Sequence, residues 1–177
     1  MARSQRYKVK FRRRRELKTD YAKRLALIKS NLFRLVVRRS SGSILGQVVE
    51  FSPTGDKTLH SATAVELKEL GWKGGLGNIP AAYLTGLLLA KKFKSSDKVI
   101  LDLGMQHPAR GGRLFALLKG CADGGMNVPV DQKAFPSEDR IGGAHISSNA
   151  VTKYTKVERE ITQNFAEVKK KIQGGSQ

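Results

Sequence analysis

The sequence predicts an α/β fold: a mixed β-sheet layered with helices, built as a meander followed by β-α-β-α, with a basic N-terminal extension and a C-terminal amphipathic helix. Three observations carry this prediction. Apolar residues alternate with period two between short turn signals over residues 32–63. The period then lengthens into two strongly apolar helical segments separated by a compact apolar run. Charge is also segregated: residues 1–40 hold 15 Lys or Arg against Glu16 and Asp20, a net +13 of the chain's +18, while 41–150 net +2 and 151–177 net +3. A near-neutral body carrying a cationic arm is the charge plan of a protein that docks on a polyanion.

The arm runs Arg3, Arg6, Lys8, Lys10, Arg12, Arg13, Arg14, Arg15, Lys18, with Tyr7 and Phe11 as its only aromatics. Too little apolar surface is available to offset the entropy of ordering, so the segment is expected to lack structure alone and to order on a partner. Arg presents a planar fork that chelates phosphate oxygens and stacks on bases, and four in a row favour nucleic acid. A targeting patch, a membrane-surface tail or a solubilising tail are the competing readings of such a run. Thr19 or Asp20 can cap a following helix in which Leu17, Tyr21, Leu25 and Ile28 share a face, opposite Lys18, Lys23, Arg24 and Lys29.

Three β-type runs come next. Leu32 to Arg39 places Phe33, Leu35 and Val37 on one side and Arg34, Val36 and Arg38 on the other; Ile44 to Phe51 follows a Ser41-Gly42 turn, and Lys57 to Thr63 follows Pro53-Thr54-Gly55-Asp56. Such short connections imply an antiparallel meander. Glu66 to Leu70 reads as a helical turn ended by Gly71, and Trp72 to Asn78 as a glycine-rich loop. Asn78 is a good N-cap and Pro80 suits the first turn of a helix reaching about Phe93, apolar nearly all round and therefore buried. Lys98 to Leu103 reads as a buried-type strand, and Leu114 to Ala122 as a second apolar helix. Val151, Tyr154, Val157, Ile161, Phe165, Val168 and Ile172 form an apolar stripe on a last helix, started by Ser148 or Asn149 and ended by Gly174. The expected division is an extension with a short helix (1–30), an α/β body (31–148) and a C-terminal helix packed on the body or on a neighbour (149–177).

No apolar run approaches the roughly 20 residues of a membrane span, and no apolar segment of a secretory signal follows the basic N-terminus. The lone Cys121, in the apolar stretch Leu114 to Ala122, reads as core filler in a reducing compartment. Gly71, Gly74, Gly75 and Gly77 match neither a dinucleotide fingerprint nor a P-loop, leaving a tight turn or an RNA-backbone contact. His60, His107 and His145 lack metal-ligand spacing. Asp97, Asp102 and Asp123 could be imagined as metal-binding acids of a nuclease, but Asp102 is flanked by leucines and no spacing dictates a partner acid. The loop 105–113 brings Arg110 and Arg113 to a helix start, as an RNA contact or a solvated turn.

Five segments, in order along nearly the whole chain, resemble one family: Phe-Arg-Arg-Arg-Arg-Glu-Leu-Lys-Thr-Asp-Tyr-Ala-Lys-Arg-Leu (11–25), Arg-Leu-Val-Val-Arg (34–38), Ala-Ala-Tyr-Leu-Thr-Gly-Leu-Leu-Leu-Ala (81–90), Gly-Cys-Ala-Asp-Gly-Gly (120–125) and Arg-Ile-Gly-Gly-Ala-His-Ile (140–146). The family is that of large-subunit ribosomal protein L eighteen in its archaeal form, similar also to the core of a longer eukaryotic homologue. The resemblance implies a structural constituent of the large subunit that binds 5S rRNA, helps attach it to the large rRNA in the central protuberance, and neighbours other ribosomal proteins there. It implies no enzymatic activity, cofactor, metal or small-molecule substrate, and a cytoplasmic, ribosome-bound location. Arg12 to Arg15, Lys18, Tyr21 and Arg24 match the family's basic RNA-facing segment. With Arg3, Arg6, Tyr7, Lys8, Lys10, Arg38 and Lys73 they make up the expected RNA-binding set, in which Tyr7, Phe11 or Tyr21 are candidates to stack on unpaired bases. A non-ribosomal RNA-binding protein and a metal-dependent nuclease on similar layers are the alternatives.

Overall fold

The computed structural model describes residues 8–95, 97–148 and 160–174. Its centre is a four-stranded sheet of β1 (Phe33–Arg39), β2 (Ile44–Glu50), β3 (Lys57–Thr63) and β4 (Val99–Asp102), in the order β3-β2-β1-β4. The meander pairs antiparallel, with Val37 opposite Gly46 and Gly46 opposite Ala62, while β4 runs parallel to β1 and makes the sheet mixed. The strand expected to be buried on both faces is an edge strand, with Ile100 and Leu101 half-buried. Beyond its end the Gln106 side chain takes over the pairing: its Oε1 accepts from Arg39 N at 3.0 Å and its Nε2 donates to Val37 O at 2.9 Å.

One face of the sheet packs on α3 (Ile79–Phe93) and α4 (Arg113–Asp123), joining Leu35, Val37, Val48 and Ala62 to Leu84, Leu89, Leu117 and Leu118 in one core. The helix limits follow local chemistry. Asn78 Oδ1 accepts from Ala81 N at 2.8 Å, Pro80 sits in the first turn, and Lys94 closes the other end in the left-handed region at φ 44°. The two helices meet backbone to backbone. A methyl on Gly86 would lie 2.0 Å from Leu117 O, and one on Gly120 2.1 Å from Tyr83 O. Cys121, wholly buried as core filler, directs Sγ at Gly86 O, 3.5 Å away, and burial pushes its thiol up.

Short helices not legible in the sequence follow α4: α5 (Glu138–Gly142) and α6 (Ala144–Ser147), hinged at Gly143 with φ 86°. Their few residues give hydrophobic periodicity too little length to register. The last helix, α7 (Ile161–Gly174), buries Ile161, Phe165, Val168 and Ile172 as the apolar stripe requires, together with Asn164. It lies on α3: Phe165 packs 5.7 Å from the Tyr83 ring, and Lys91 Nζ donates to Ile172 O at 2.6 Å. Ser148 caps the end of α6, and the expected start at Asn149 and the residues Val151, Tyr154 and Val157 lie outside the described residues.

The glycine contact sets a sign. Gly to Ala in a helix interior ordinarily stabilises by up to about 1 kcal/mol, whereas here the added methyl forces two backbones apart. Gly86→Ala and Gly120→Ala are each expected to lower the unfolding free energy by about 3 kcal/mol, read from urea melts. Gly142→Ala, whose added methyl meets nothing within 4 Å, should change it little.

Candidate nucleic-acid interface

The arm enters as one helical turn, α1 (Arg12–Arg15), whose four side chains are all exposed. This turn departs from the expectation of a segment without regular structure. Arg is a good helix former, Glu16 lies 3.8 Å from Arg12 at i,i+4, and Arg13 Nε donates to Thr19 Oγ1 at 2.8 Å. Leu17 ends the turn in the left-handed region at φ 52°. It therefore falls outside the helix it was expected to join and is 75% exposed.

The second helix, α2 (Tyr21–Lys29), starts where Asp20 Oδ1 accepts from Ala22 N and Lys23 N at 3.0 and 3.2 Å. Its apolar face is only half used: Leu25 is 55% exposed, Tyr21 and Ile28 are half-buried, and Phe11 lies 5.4 Å from the Tyr21 ring. A charge network, rather than an apolar stripe, fastens α2 to the body. Arg24 Nη2 lies 2.9 and 2.8 Å from the two carboxylate oxygens of Asp56, in the turn between β2 and β3. Arg34 Nη2 reaches the same Asp56 at 2.8 Å, and its Nη1 reaches Asp102 Oδ2 at 3.5 Å. Arg38 Nη2 donates to Asp102 Oδ1 at 3.1 Å and its Nη1 to Asp102 O at 2.7 Å.

Arginines and carboxylates thus alternate from α2 to the end of β4. Arg34 stands at the middle and is 2% exposed. Strand alternation places Arg34 and Arg38 together on the sheet face turned away from α3 and α4, opposite the core residues Leu35 and Val37. Burying a guanidinium is costly unless carboxylates compensate it, and Arg34 has two. Its Nε has no hydrogen-bond partner among the described residues, and its Nη2 meets Asp56 as a close ion pair without hydrogen-bond geometry, which leaves the compensation resting on the charge of those acids. For Asp56, partial burial alone would raise the carboxyl, but the bonds and charges of Arg34 and Arg24 outweigh it and hold the group below its ordinary range.

Between α1–α2 and β4 lies a groove of about 760 Å³. Arg13, Lys18, Lys23, Arg24, Arg38 and Arg39 line it against only Asp20 and Asp102, with Leu27, Leu101 and Leu103 among its apolar walls. Asp20 is engaged in capping α2 and Asp102 in binding arginines, so the unengaged charge facing the groove is positive. Cations around partly apolar walls are chemically matched to phosphodiester oxygens and to the bases beside them.

The expected RNA-binding residues separate on this geometry. Arg13, Lys18, Arg24 and Arg38 converge on the groove; Lys8, Lys10, Arg12, Arg14 and Arg15 are exposed along the arm, with Tyr21 at the start of α2. Arg3, Arg6 and Tyr7 lie outside the described residues. Lys73 is exposed but does not reach the groove: its backbone N donates to Asn164 Oδ1 of α7 at 3.0 Å, in a loop where Trp72 Nε1 donates to Gly75 O. That glycine-rich loop is a packed turn, with Gly74 against Ile161 and Gly77 against the backbone of Ser41. Sequence reasoning missed Arg39 and the groove-facing role of Lys23, and it missed the Asp56–Arg34–Asp102 frame. The outward alternation of Arg34 and Arg38 was the available signal.

The acids Asp97, Asp102 and Asp123 are each engaged in structural hydrogen bonds. Asp102 also accepts from Gly104 N at 2.8 Å, Asp123 accepts the Tyr83 hydroxyl at 2.8 Å, and Asp97 accepts the Ser95 hydroxyl. Among the described residues no group of three His, Cys, Asp or Glu could hold a metal ion, and no helix is long and apolar enough to cross a membrane.

Fold and groove together define a class, a small α/β protein that carries a cationic arm beside a cation-lined groove. The family model described as "Ribosomal large subunit proteins 60S L5, and 50S L18" matches residues 5–99. The chain is 51% identical over 153 residues to large ribosomal subunit protein uL18 of Caldivirga maquilingensis, covering 85% of this chain and 74% of that protein. It is 51% identical over 152 residues to uL18 of Korarchaeum cryptofilum, covering 85% and 78%. This chain belongs to that family of large-subunit ribosomal proteins.

The direction of the Asp56 shift yields a pH dependence. Because its folded carboxyl titrates below the ordinary value of 3.8, the stability it contributes is fully present above that value and is lost as pH falls through the folded one. Asp56→Asn is expected to lower the melting temperature at neutral pH and to flatten the loss of stability on acidification below about pH 4. Calorimetric melts across that range provide the measurement.

Proposed function

We propose that this chain is a non-enzymatic constituent of the large ribosomal subunit that binds 5S rRNA and helps attach it to the large rRNA in the central protuberance. Its arm and groove engage the RNA backbone, its α/β body supplies a fixed surface, and its location is the cytoplasmic ribosome, beside other proteins of the protuberance. The observation that carries the reading is a groove lined by six cations, continuous with an exposed arginine turn, in a chain of a ribosomal family. Residues 1–30 act in this reading as the RNA-contacting extension, 31–148 as the body, and 149–177 as a C-terminal element that packs on the body or on a neighbour, its described helix lying on α3.

The mechanism is electrostatic positioning. Lys and Arg that neutralise phosphates release counterions, so affinity falls steeply with salt. Base and shape contacts then decide which RNA surface is accepted. Filter binding to a 5S rRNA transcript is expected to weaken by about three orders of magnitude between roughly 50 and 200 mM salt. A flat titration would remove the mechanism.

Deleting residues 1–18 is expected to weaken binding at least tenfold while changing the thermal unfolding of the body by little, because the described part of that segment buries no side chain. Equal affinity in the truncated protein would take the arm out of the account. Co-sedimentation of the native protein with large ribosomal subunits in a gradient tests the assignment as a whole.

A further inference from the structure

Two of the groove's cations are tied to carboxylates from distant parts of the chain, whereas Arg13, Lys18 and Lys23 meet only near neighbours among the described residues, Thr19, Glu16 and Asp20. The side chain of Arg24 is 35% exposed and that of Arg38 40% exposed, although each is bonded to a carboxylate. Arg24 engages Asp56 through Nη2. Arg38 is restrained at both nitrogens of its fork: Asp102 Oδ1 takes Nη2, the backbone carbonyls of Val37 and Asp102 take Nη1, and its guanidinium lies against bare backbone at Gly104, where an added methyl would stand 3.1 Å from Arg38 Cζ. Arg34, locked between the acids, keeps Asp56 and Asp102 in place relative to each other. By contrast, the side chains of Arg12 and Lys18 are 76% and 62% exposed, and they meet only the neighbouring Glu16.

Holding a guanidinium in advance matters because an ordered side chain loses less entropy when it binds, and because a charged hydrogen bond to phosphate depends strongly on geometry. We propose that Asp56 and Asp102 are positioning residues for RNA: although negatively charged, they strengthen binding of a backbone phosphodiester in this groove by aiming Arg24 and Arg38, with Arg34 as the brace between them. The inference rests on the RNA-binding reading above. It opposes simple electrostatics, in which removing an anion beside the groove strengthens the attraction of any polyanion. Screening trims that long-range gain, with a Debye length near 10 Å at about 0.1 M salt, whereas losing the orientation of a direct contact is not screened away.

The two effects predict opposite signs for the same substitution. Full-length protein, Asp56→Asn and Glu50→Gln are to be titrated against an in vitro transcript of 5S rRNA, from roughly 50 to 200 mM salt, at a temperature where melts show every variant folded. Glu50, exposed at the end of β2 opposite Lys57, is the control for removing one negative charge from the same hairpin. Asp56→Asn is expected to bind about tenfold more weakly at 0.1 M salt, with a salt slope shallower by about one phosphate contact, while Glu50→Gln stays within about twofold of the parent. Asp102→Asn should move in the same direction through Arg38. Unchanged or tighter binding by Asp56→Asn overturns the inference, as does weaker binding with an unaltered slope, which marks a merely structural loss. Failure of the parent protein to bind the transcript removes the reading on which the inference stands.

Discussion

A guanidinium buried on the outer face of the sheet is the constraint from which much of this architecture follows. Arg34 is almost wholly withdrawn from solvent, and a charge so placed is tolerable only with carboxylates against it. Two meet it, and they come from opposite sides: Asp56 from the turn between β2 and β3, Asp102 from the end of β4. Both segments are therefore fixed relative to the central strand. Because Asp56 has a second oxygen for Arg24 and Asp102 one for Arg38, the same demand seats the arm's helix and an edge arginine. The groove is what remains between them.

The other face of the sheet works by a different principle. There the layers close because Gly86 and Gly120 let two helix backbones touch, and because Gly46 leaves room beneath Leu89 and Leu117. Apolar burial provides the driving force, with roughly 1.5 to 3 kcal/mol for each large side chain withdrawn from water. A dry, closely packed face and a charged, half-open face on one thin sheet give the molecule its two roles. One holds the strands still, and the other presents cations whose directions are already set.

Most of the fold was legible because long, repetitive patterns encode it. The meander, the Asn78 cap, the buried α3 and the stripe of α7 each rest on many residues pointing to the same answer. Elements shorter than a few turns, such as α5 and α6, were not legible, since a four- or five-residue helix depends on what it touches. The candidate site was half legible. Composition singled out Arg13, Lys18, Arg24 and Arg38, yet it grouped Lys73 with them, although that residue lies in a turn held by α7. Nor could it place Asp102, for which no spacing dictates a partner acid, because the arginines that hold it stand 64 and 68 residues earlier in the chain.

By itself, the sequence determined where charge is concentrated, which segments alternate and which recur at helical spacing, because these are properties of neighbours along the chain. Tertiary structure alone decided which arginines are bare and which are held. That distinction depends on carboxylates brought from distant turns to within about 3 Å, where desolvation and direct bonding outweigh the average charge of a segment. Arg12 and Arg34 are the same residue in the sequence. In the folded protein one is an exposed cation on a short helical turn and the other is the buried centre of a brace.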